Sequence, residues 1–268
     1  MTTSLDLLAA VEGLPRHEAE RLLAAVTGRT RSDLVVGCPV RPEQRRRFLE
    51  LVERRVEGAP LQYLEGTVVF GPVELVVDPR VLVPRPETEE LFELACTLAP
   101  ASPATIVDLC TGSGNLAVAL AATFPDAAVY ATDRSGAALA VAAENVRRNR
   151  VRVRLYEGDL FEPLPADLRD RVELLVANPP YVAEAEWAEL PVDVRDHEPR
   201  GALVAGPRGD EVLRRIGAEV AGWLAPGGLA ICEIGAGQAR AALDAFAGLR
   251  PEIRRDLAGR PRFVVASR

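Results

Sequence analysis

The residues with the clearest chemical potential are Asn178, Pro179, Pro180 and Tyr181, which directly follow an apolar run at 174–177. Such a run is typical of a buried strand. Proline has no N–H group, so the two prolines donate no backbone hydrogen bonds. The side-chain oxygen of Asn178 and the carbonyl oxygen of Pro179 are then two acceptors, which suit the two hydrogens of an NH₂ group.

Two fixed acceptors would solve a problem of reactivity. An amide or exocyclic amine is a weak nucleophile because its lone pair is delocalised into the neighbouring π system. Holding both hydrogens would direct the nitrogen along the S–CH₃ bond of a sulfonium methyl donor, and the same dipoles would stabilise positive charge that develops on nitrogen. We interpret residues 178–181 as catalytic and substrate-binding positions, with Tyr181 stacking on the planar group. An ordinary strand-ending turn is the alternative, since Asn-Pro is a common turn dipeptide.

A glycine-rich turn lies upstream, in IVDLCTGSGNLAVAL at 106–120, between an apolar strand and a helix. Glycine allows close approach of the backbone to a ligand, and the start of a helix offers free N–H groups to negative charge. Gly112, Gly114 and Ala117 form a G-x-G-x-x-A pattern. This pattern alone fits a nicotinamide cofactor as well as S-adenosylmethionine, and a purely structural turn is the remaining interpretation.

Three acids at the ends of successive strands favour S-adenosylmethionine. Asp108 lies four residues before Gly112, where its carboxylate would hold the loop or meet the ammonium group of a methionine moiety. The negative pyrophosphate of a dinucleotide would instead be repelled by a carboxylate at this position. Asp133 ends the second strand, where an acid would bind ribose hydroxyls. Asp159 ends the third strand and would accept from an adenine amino group, with Leu160 packing on the ring; a turn cap is the alternative for Asp159.

The elements that must position these residues alternate between strand and helix from residue 104 onward. This alternation predicts an α/β fold with a doubly wound, mostly parallel sheet, and two closing strands without an intervening helix predict an antiparallel pair at one edge. Residues 1–60 have helical periodicity with charges between the apolar positions. Residues 61–83 contain β-branched runs broken by Gly-Pro and Asp-Pro, which predict a β-hairpin linker. Residues 84–268 would form the cofactor-binding domain.

Composition excludes several classes of function. The chain has 268 residues, a net charge of −7 and a pI near 5.1, which disfavour direct nucleic-acid binding. Its four cysteines lack a C-x-x-C pair and it has only two histidines, so we expect no metal site and no disulfide framework. No run is long and apolar enough for a membrane helix, and no secretory signal is evident at the start, so a cytoplasmic location is expected.

Beyond these arguments, the chain resembles a known family, the bacterial peptide chain release factor glutamine N5-methyltransferases. The resemblance extends over nearly the whole chain. It rests on VLVPRPETEEL (81–91), DLCTGSGNLAVALA (108–121), NPPYV (178–182) and DVRDHEPRGALVAGPRGDEVLRRI (193–216).

The resemblance implies a Rossmann-like class I methyltransferase that uses S-adenosylmethionine and methylates the glutamine of the Gly-Gly-Gln loop in class I release factors, in translation termination. It places the cofactor at Asp133, Leu160 and Asn178 and at a loop made of Cys110, Thr111, Gly112, Ser113 and Gly114. It also implies that residues 178–181 hold the glutamine, and that the N-terminal helices and the hairpin form a separate domain that helps to grip the release factor. We expect a monomer.

Four alternatives remain open at this stage. Cys110, where the family often has glycine, also fits the related enzyme that methylates a glutamine of a large-subunit ribosomal protein. A DNA adenine methyltransferase shares the N-P-P-Y motif but needs a basic recognition region. A nicotinamide-dependent oxidoreductase needs a hydride-transfer acid, and the chain has no lysine for a Tyr-Lys pair. A module that binds the cofactor without turnover is the fourth.

Overall fold

The computed structural model describes residues 2–268, which divide into two compact units. The first comprises residues up to Thr67 together with Pro191–His197, and the second comprises Val68–Leu190 and Glu198–Arg268. The helices are α1 (Ser4–Ala9), α2 (Arg16–Thr27), α3 (Arg31–Val36), α4 (Pro42–Val56), α5 (Leu61–Glu65), α6 (Pro86–Leu98), α7 (Asn115–Thr123), α8 (Gly136–Asn149), α9 (Val192–His197), α10 (Arg200–Leu203), α11 (Glu211–Val220) and α12 (Ala239–Ala245). The strands are β1 (Thr67–Phe70), β2 (Val73–Val76), β3 (Thr105–Leu109), β4 (Ala128–Asp133), β5 (Val153–Glu157), β6 (Val172–Ala177), β7 (Val182–Ala183), β8 (Val204–Gly206), β9 (Leu224–Glu233), β10 (Arg250–Arg255) and β11 (Pro261–Ser267).

The first unit is built from short helices with their own apolar core. Thr3 and Thr30 begin α1 and α3 with capping boxes, in which each threonine side chain accepts from the backbone three residues later. Such caps satisfy backbone groups that a helix start leaves unpaired, so they allow helices of only six residues. The helical patterns in this part of the sequence are LDLLAAV, HEAERLLAAVTG and PEQRRRFLELVERRV, so α3 was not predicted as a helix. The core contains Leu22, Leu34 and Phe48, each with none of its surface exposed.

The helical region extends past residue 60, where the sequence pattern predicted the start of the hairpin linker. Helix α5 spans Leu61–Glu65, because Pro60 precedes it with φ of −54° and Gly66 ends it in the left-handed region at φ of +80°. These two residues bracket a single turn of helix. Strands β1 and β2 then form the expected two-stranded sheet. The side chain of Asn145 holds β2 by accepting from Val76 N at 2.6 Å and donating to Val76 O at 3.0 Å.

A seven-stranded sheet forms the centre of the second unit, in the order β10-β11-β9-β6-β3-β4-β5. Strands β9, β6, β3, β4 and β5 are mutually parallel, and β11 pairs antiparallel with both β9 and β10. The doubly wound sheet and the antiparallel pair at one edge are therefore as the sequence predicted. Because neighbouring strands in this order run in the same direction, their carboxyl ends meet along one edge of the sheet.

Both faces of the sheet are covered by buried apolar side chains. One cluster joins β3 and β6 to α11 and α12 and includes Leu175, Ile216 and Phe246. The other joins the opposite face to α6 and α7 and includes Ile106 and Leu91. Burial on both faces explains why the central strands are near-continuous apolar runs rather than alternating ones. Within residues 2–268, no helix combines the length and the hydropathy that crossing a bilayer requires.

Candidate active site

A cavity of about 330 Å³ opens at the carboxyl edge of the sheet. Its size lies within the range of small-molecule sites, about 300–1,000 Å³. Segments that follow β3, β4, β5 and β6 contribute to its wall, together with residues 80–82, Pro84, Pro199, Gly201 and Ala202. The sequence-predicted site residues on this wall are Cys110, Thr111, Gly112, Ser113, Asp133, Asp159, Leu160, Asn178 and Pro180. The predicted site residues Asp108, Gly114, Pro179 and Tyr181 do not line it.

The glycine loop between β3 and α7 has an unusual backbone. Cys110, Gly112 and Gly114 have φ values of +59°, +56° and +80°, and glycine adopts this left-handed region without steric cost. Gly114 donates to Thr111 O at 2.8 Å and caps the N-terminus of α7. A Cβ on Gly112 would meet nothing within 4 Å. Gly112 thus lets the backbone itself form this part of the cavity wall, whereas Gly114 permits the turn into α7.

Asp108 holds the loop rather than lining the cavity. It is fully buried, and its Oδ2 accepts from the Thr111 hydroxyl at 2.5 Å and from Ala117 N at 3.1 Å. Burial raises the pKa of Asp108 to about 7, while these two hydrogen bonds oppose the shift. These contacts fix the loop to the start of α7, which is one of the two roles considered for Asp108, and within residues 2–268 its buried Oδ1 has no hydrogen-bond partner. Burial also raises the pKa of the Cys110 thiol, so that side chain is a neutral thiol rather than a nucleophilic thiolate.

Asp133 and Asp159 lie at the cavity with different partners. The carboxylate of Asp133 accepts from Gly112 N at 2.8 Å and from Ser135 N at 2.9 Å, which ties the end of β4 to the glycine loop. Carboxylate oxygens have further lone pairs, so hydroxyl groups of a ligand can still bind there. Asp159 forms an ion pair with Arg215 at 2.9 Å, and both side chains are partly exposed on the cavity wall.

Asn178 follows β6 at the same edge of the sheet and lines the cavity with Pro180. Its Nδ2 group donates to Thr88 Oγ1 at 2.9 Å. Among residues 2–268 the structure gives Asn178 Oδ1 no hydrogen-bond partner. Tyr181 is half-buried, its carbonyl accepts from Gln238 Nε2 at 3.0 Å, and burial, followed by the charge of Glu233, raises the pKa of its hydroxyl to about 12.

Thr88 and Glu233 are residues of this site that the sequence reasoning missed. Thr88 lies in the first turn of α6 and donates from its hydroxyl to Glu233 Oε2 at 2.8 Å. Glu233 ends β9, and Ala177 pairs with Cys232 in the β6–β9 register, so Glu233 comes beside Asn178. An acid that ends a predicted core strand was the available signal for Glu233. For Thr88, 90 residues from Asn178 in sequence, no local signal exists.

Pro84, before α6, and Thr88, in its first turn, line the cavity, whereas the acids Glu87 and Glu89 do not. Glu87 pairs with Arg260 at 3.1 Å, and Glu89 accepts from Gly71 N at 2.8 Å. Arg85 pairs with buried Glu198 at 2.5 Å, and the chain after Glu198 lines the cavity through Pro199, Gly201 and Ala202. No three His, Cys, Asp or Glu side chains within residues 2–268 form a group suited to a metal ion.

Two family models match the chain. The Methyltransferase small domain matches residues 93–192, which include the glycine loop and Asn178, and the PrmC N-terminal domain matches residues 3–66. The hMettl16 catalytic domain in complex with the MAT2A 3′UTR hairpin 6 has a TM-score of 0.55 at 16% identity and covers 85% of this chain and 81% of its own. The 16S rRNA N2 G1207 methyltransferase from Thermus thermophilus, in complex with AdoMet and guanosine, has a TM-score of 0.53 at 16% identity and covers 75% of this chain and 49% of its own. These structures show that the fold is that of methyltransferases.

Relatives by sequence are more specific and extend over both units. A release factor glutamine methyltransferase from Mycolicibacterium smegmatis is 42% identical over 266 residues, which cover 98% of this chain and 94% of that protein. One from Bordetella pertussis is 44% identical over 265 residues, 97% of each chain. This confirms the resemblance drawn from the motifs, and with it the enzymatic class. The chain belongs to the release factor glutamine methyltransferase family.

Proposed function

We propose that this enzyme transfers a methyl group from S-adenosylmethionine to the side-chain amide nitrogen of a glutamine, in the Gly-Gly-Gln loop of class I peptide chain release factors. The observation that carries the proposal is that Asn178 and the glycine loop line one cavity. A cofactor site and an acceptor for an NH₂ group thus lie side by side. The family's name supplies the identity of the substrate protein.

The residues present suit S-adenosylmethionine in their chemistry. Asp133 offers carboxylate oxygens to ribose hydroxyls, and Asp159 offers an acceptor to the adenine amino group. Leu160, buried and on the cavity wall, offers an apolar contact for the ring. Gly112 has no side chain, and the space beside its Cα is open, so the cofactor can approach the backbone closely.

S-adenosylmethionine, when bound, supplies a methyl group on a good sulfonium leaving group, so the protein needs no nucleophilic side chain. The residues of this chain act on the glutamine amide that receives the methyl group. Asn178 Oδ1 and the Pro179 carbonyl accept from the two amide hydrogens and orient the nitrogen. Their dipoles stabilise positive charge on that nitrogen, and the surplus proton leaves to water without a dedicated base. Tyr181 does not line the cavity, so its proposed stacking on the carboxamide requires the substrate loop to extend past the cavity wall; its hydroxyl is neutral because its pKa is about 12.

The N-terminal region serves recognition in this proposal. We assign residues 1–60, with the hairpin linker at 61–83, to the grip on the release factor, and residues 84–268 to cofactor binding and catalysis. The match of residues 3–66 to the PrmC N-terminal domain supports a role tied to this family. We further propose that the enzyme acts as a monomer in the cytoplasm and has no direct nucleic-acid partner; the net charge of −7 supports the last point.

The test is incubation of the enzyme with isotope-labelled S-adenosylmethionine and a purified class I release factor, followed by mass mapping of the modified peptide. We expect one methyl group on the glutamine of the Gly-Gly-Gln loop. A methyl group on a different residue, or none on the release factor while a ribosomal protein is modified, would reject the proposed substrate.

Asn178→Ala links that activity to the site. Losing a fixed acceptor for developing charge should lower kcat about 100-fold or more. Asn149→Ala is the matched control, because Asn149 bonds to backbone carbonyls of Glu74 and Asn145 instead of facing the cavity, and it should keep wild-type kcat. Equal activity of both variants would remove Asn178 from the mechanism.

A further inference from the structure

Three side chains from three distant parts of the chain form a hydrogen-bonded series at the cavity. The Nδ2 group of Asn178 donates to Thr88 Oγ1 at 2.9 Å, and the Thr88 hydroxyl donates to Glu233 Oε2 at 2.8 Å. Thr88 and Glu233 each have only 1% of their surface exposed. Burial of a threonine and a carboxylate is unfavourable unless their polar atoms are paired, so this arrangement requires an explanation.

We propose that Thr88 and Glu233 are positioning residues that fix the orientation of the Asn178 amide, with Oδ1 directed to the substrate nitrogen. The inference rests on the proposed function. It names the residues that make Asn178 present its oxygen, and not its NH₂ group, to the substrate amide. An Asn side chain can bind in two orientations related by a flip that exchanges oxygen and nitrogen. Only one of the two presents an acceptor to an incoming NH₂ group.

The direction of the series follows from the chemistry of its last member. A carboxylate accepts hydrogen bonds and donates none, so the hydroxyl proton of Thr88 must point to Glu233. The Thr88 oxygen is then left to accept, and its partner on Asn178 must be the NH₂ group. A flipped Asn178 would place two acceptor oxygens against each other in a buried position, at a cost comparable to an unpaired polar group.

The same series strengthens the acceptor. Hydrogen bonds in a chain polarise one another, and the effect is larger at low local dielectric. A negative charge on Glu233 draws the Thr88 proton, so the Thr88 oxygen becomes more electron-rich and attracts the Asn178 NH₂ proton more strongly. Electron density of that N–H bond then shifts onto the Asn178 nitrogen and, through amide resonance, onto Oδ1, which becomes a better acceptor. Positive charge that develops on the substrate nitrogen would therefore be stabilised by a buried carboxylate that it never contacts.

The groups that face Glu233 come from three elements. Thr88 and Glu87 belong to α6, Arg262 to β11, and Tyr181 to the segment after β6. Burial raises the pKa of Glu233 to about 7, the Thr88 hydrogen bond and the charge of Arg262 oppose the shift, and Glu87 adds to it. Proton uptake by Glu233 near neutrality would make it a hydrogen-bond donor to Thr88. The Asn178 amide could then flip and would present NH₂ instead of Oδ1 to the substrate, which would make the enzyme inactive.

The kinetic test compares two substitutions of one residue. Thr88→Val keeps the shape but removes the hydroxyl, and we expect kcat for release factor methylation to fall about 10-fold or more with the dissociation constant of S-adenosylmethionine changed less than about 3-fold. Thr88→Ser keeps the hydroxyl and should retain at least about one third of kcat. Thr97→Val, an exposed position on the same helix, should leave kcat unchanged.

A spectroscopic measurement reads the orientation without turnover. In the free enzyme, an Asn178 side-chain amide proton bonded to Thr88 should exchange slowly with solvent and give a defined ¹H–¹⁵N signal, assigned through its absence in Asn178→Ala. Thr88→Val should speed that exchange about 10-fold or more, whereas Thr88→Ser should not. Equal exchange in Thr88→Val and the wild type would overturn the proposed orientation.

The pH profile of Glu233→Gln tests the proposal without any substitution of Thr88. It therefore still applies if Thr88→Val fails to fold. Wild-type kcat should fall as pH drops below about 7, where Glu233 gains its proton. Glu233→Gln should lower kcat and abolish this acidic limb, whereas Asp126→Asn, at an exposed position, should retain it. A limb that persists in Glu233→Gln, a flat wild-type profile, or Thr88→Ser as impaired as Thr88→Val would overturn the proposal. A wild-type enzyme that methylates no release factor would instead contradict the proposed function.

Discussion

The carboxyl of Asp108, which holds the glycine loop, shows how a single buried group can make the stability of the protein depend on pH. An unfolded aspartate has a pKa of about 3.9, and burial raises the folded value to about 7. Between these values the folded state holds a proton that the unfolded state has released. Because the stability changes with pH in proportion to protons bound in the unfolded state minus those bound in the folded state, this site makes stability decrease as pH rises from about 4 to 7.

We therefore predict that Asp108→Asn weakens this pH dependence. An amide oxygen in place of Oδ2 can still accept from Thr111 and Ala117, and it carries no charge. The free energy of unfolding of the variant, relative to wild type, should rise by about 2 kcal/mol between pH 5 and 7 and level off above pH 8. Urea titrations at these pH values measure the difference.

The control for Asp108→Asn is Asp126→Asn, which removes one negative charge from an exposed position. Its stability relative to wild type should stay nearly constant over the same pH range. Parallel curves for wild type and Asp108→Asn would show that the buried carboxyl does not bind its proton as proposed.

At the scale of elements, the packing of α11 against α12 depends on one missing side chain. A Cβ on Gly217 would lie 2.3 Å from the carbonyl oxygen of Ala245 and 2.7 Å from its carbonyl carbon. Replacing glycine by alanine inside an exposed helix normally gains about 1 kcal/mol. At this position the contact is with backbone at the end of α12, which cannot move aside as a flexible side chain can.

We predict that Gly217→Ala destabilises the protein by about 1–3 kcal/mol, because overpacking outweighs the gain in helix propensity. Thermal unfolding should show a lower Tm than wild type. Gly237→Ala is the matched control, since a Cβ there would meet nothing within 4 Å, and its Tm should be close to that of wild type. A Gly217→Ala variant more stable than wild type would contradict the close helix approach.

At the scale of the whole molecule, the described residues contain separate apolar cores. Leu22, Leu34 and Phe48 belong to a cluster drawn from residues 7–64. The two clusters on the faces of the sheet contain none of these residues. Each unit therefore has its own source of burial free energy, which is a property of a domain.

We predict that Phe48→Ala unfolds the first unit selectively. Removal of a fully buried phenylalanine costs about 3–5 kcal/mol, so amide hydrogen exchange should quicken across residues 4–65 while β3 and β6 stay protected. The variant should bind S-adenosylmethionine as wild type does but methylate the release factor poorly. Phe70→Ala, which removes a buried phenylalanine of the second unit, should instead expose the sheet. Equal loss of protection in both units after Phe48→Ala would show a single cooperative core.

Local sequence was sufficient to predict the main strands and helices after residue 104, the glycine loop and the position of Asn178, but not the short elements α3, α5, β7, α9, α10 and β8. Period-two and period-3.6 patterns, glycine at left-handed turns and proline after a strand act through residues close in sequence. The α/β class and the antiparallel edge pair were confirmed on that basis. Helix α5 was placed in the hairpin linker because a single turn of helix is too short for its periodicity to register.

The assembly of the site was decided only by tertiary structure. Parallel neighbours in the sheet bring the ends of β3, β4, β5 and β6 to one cavity, and the β6–β9 register sets Glu233 beside Asn178. Thr88 meets Glu233 across 145 residues of sequence. Sequence alone determined that an acceptor follows β6, since residue type and turn chemistry are local properties. Which way that acceptor faces depends on partners that become neighbours only when the sheet and α6 pack together.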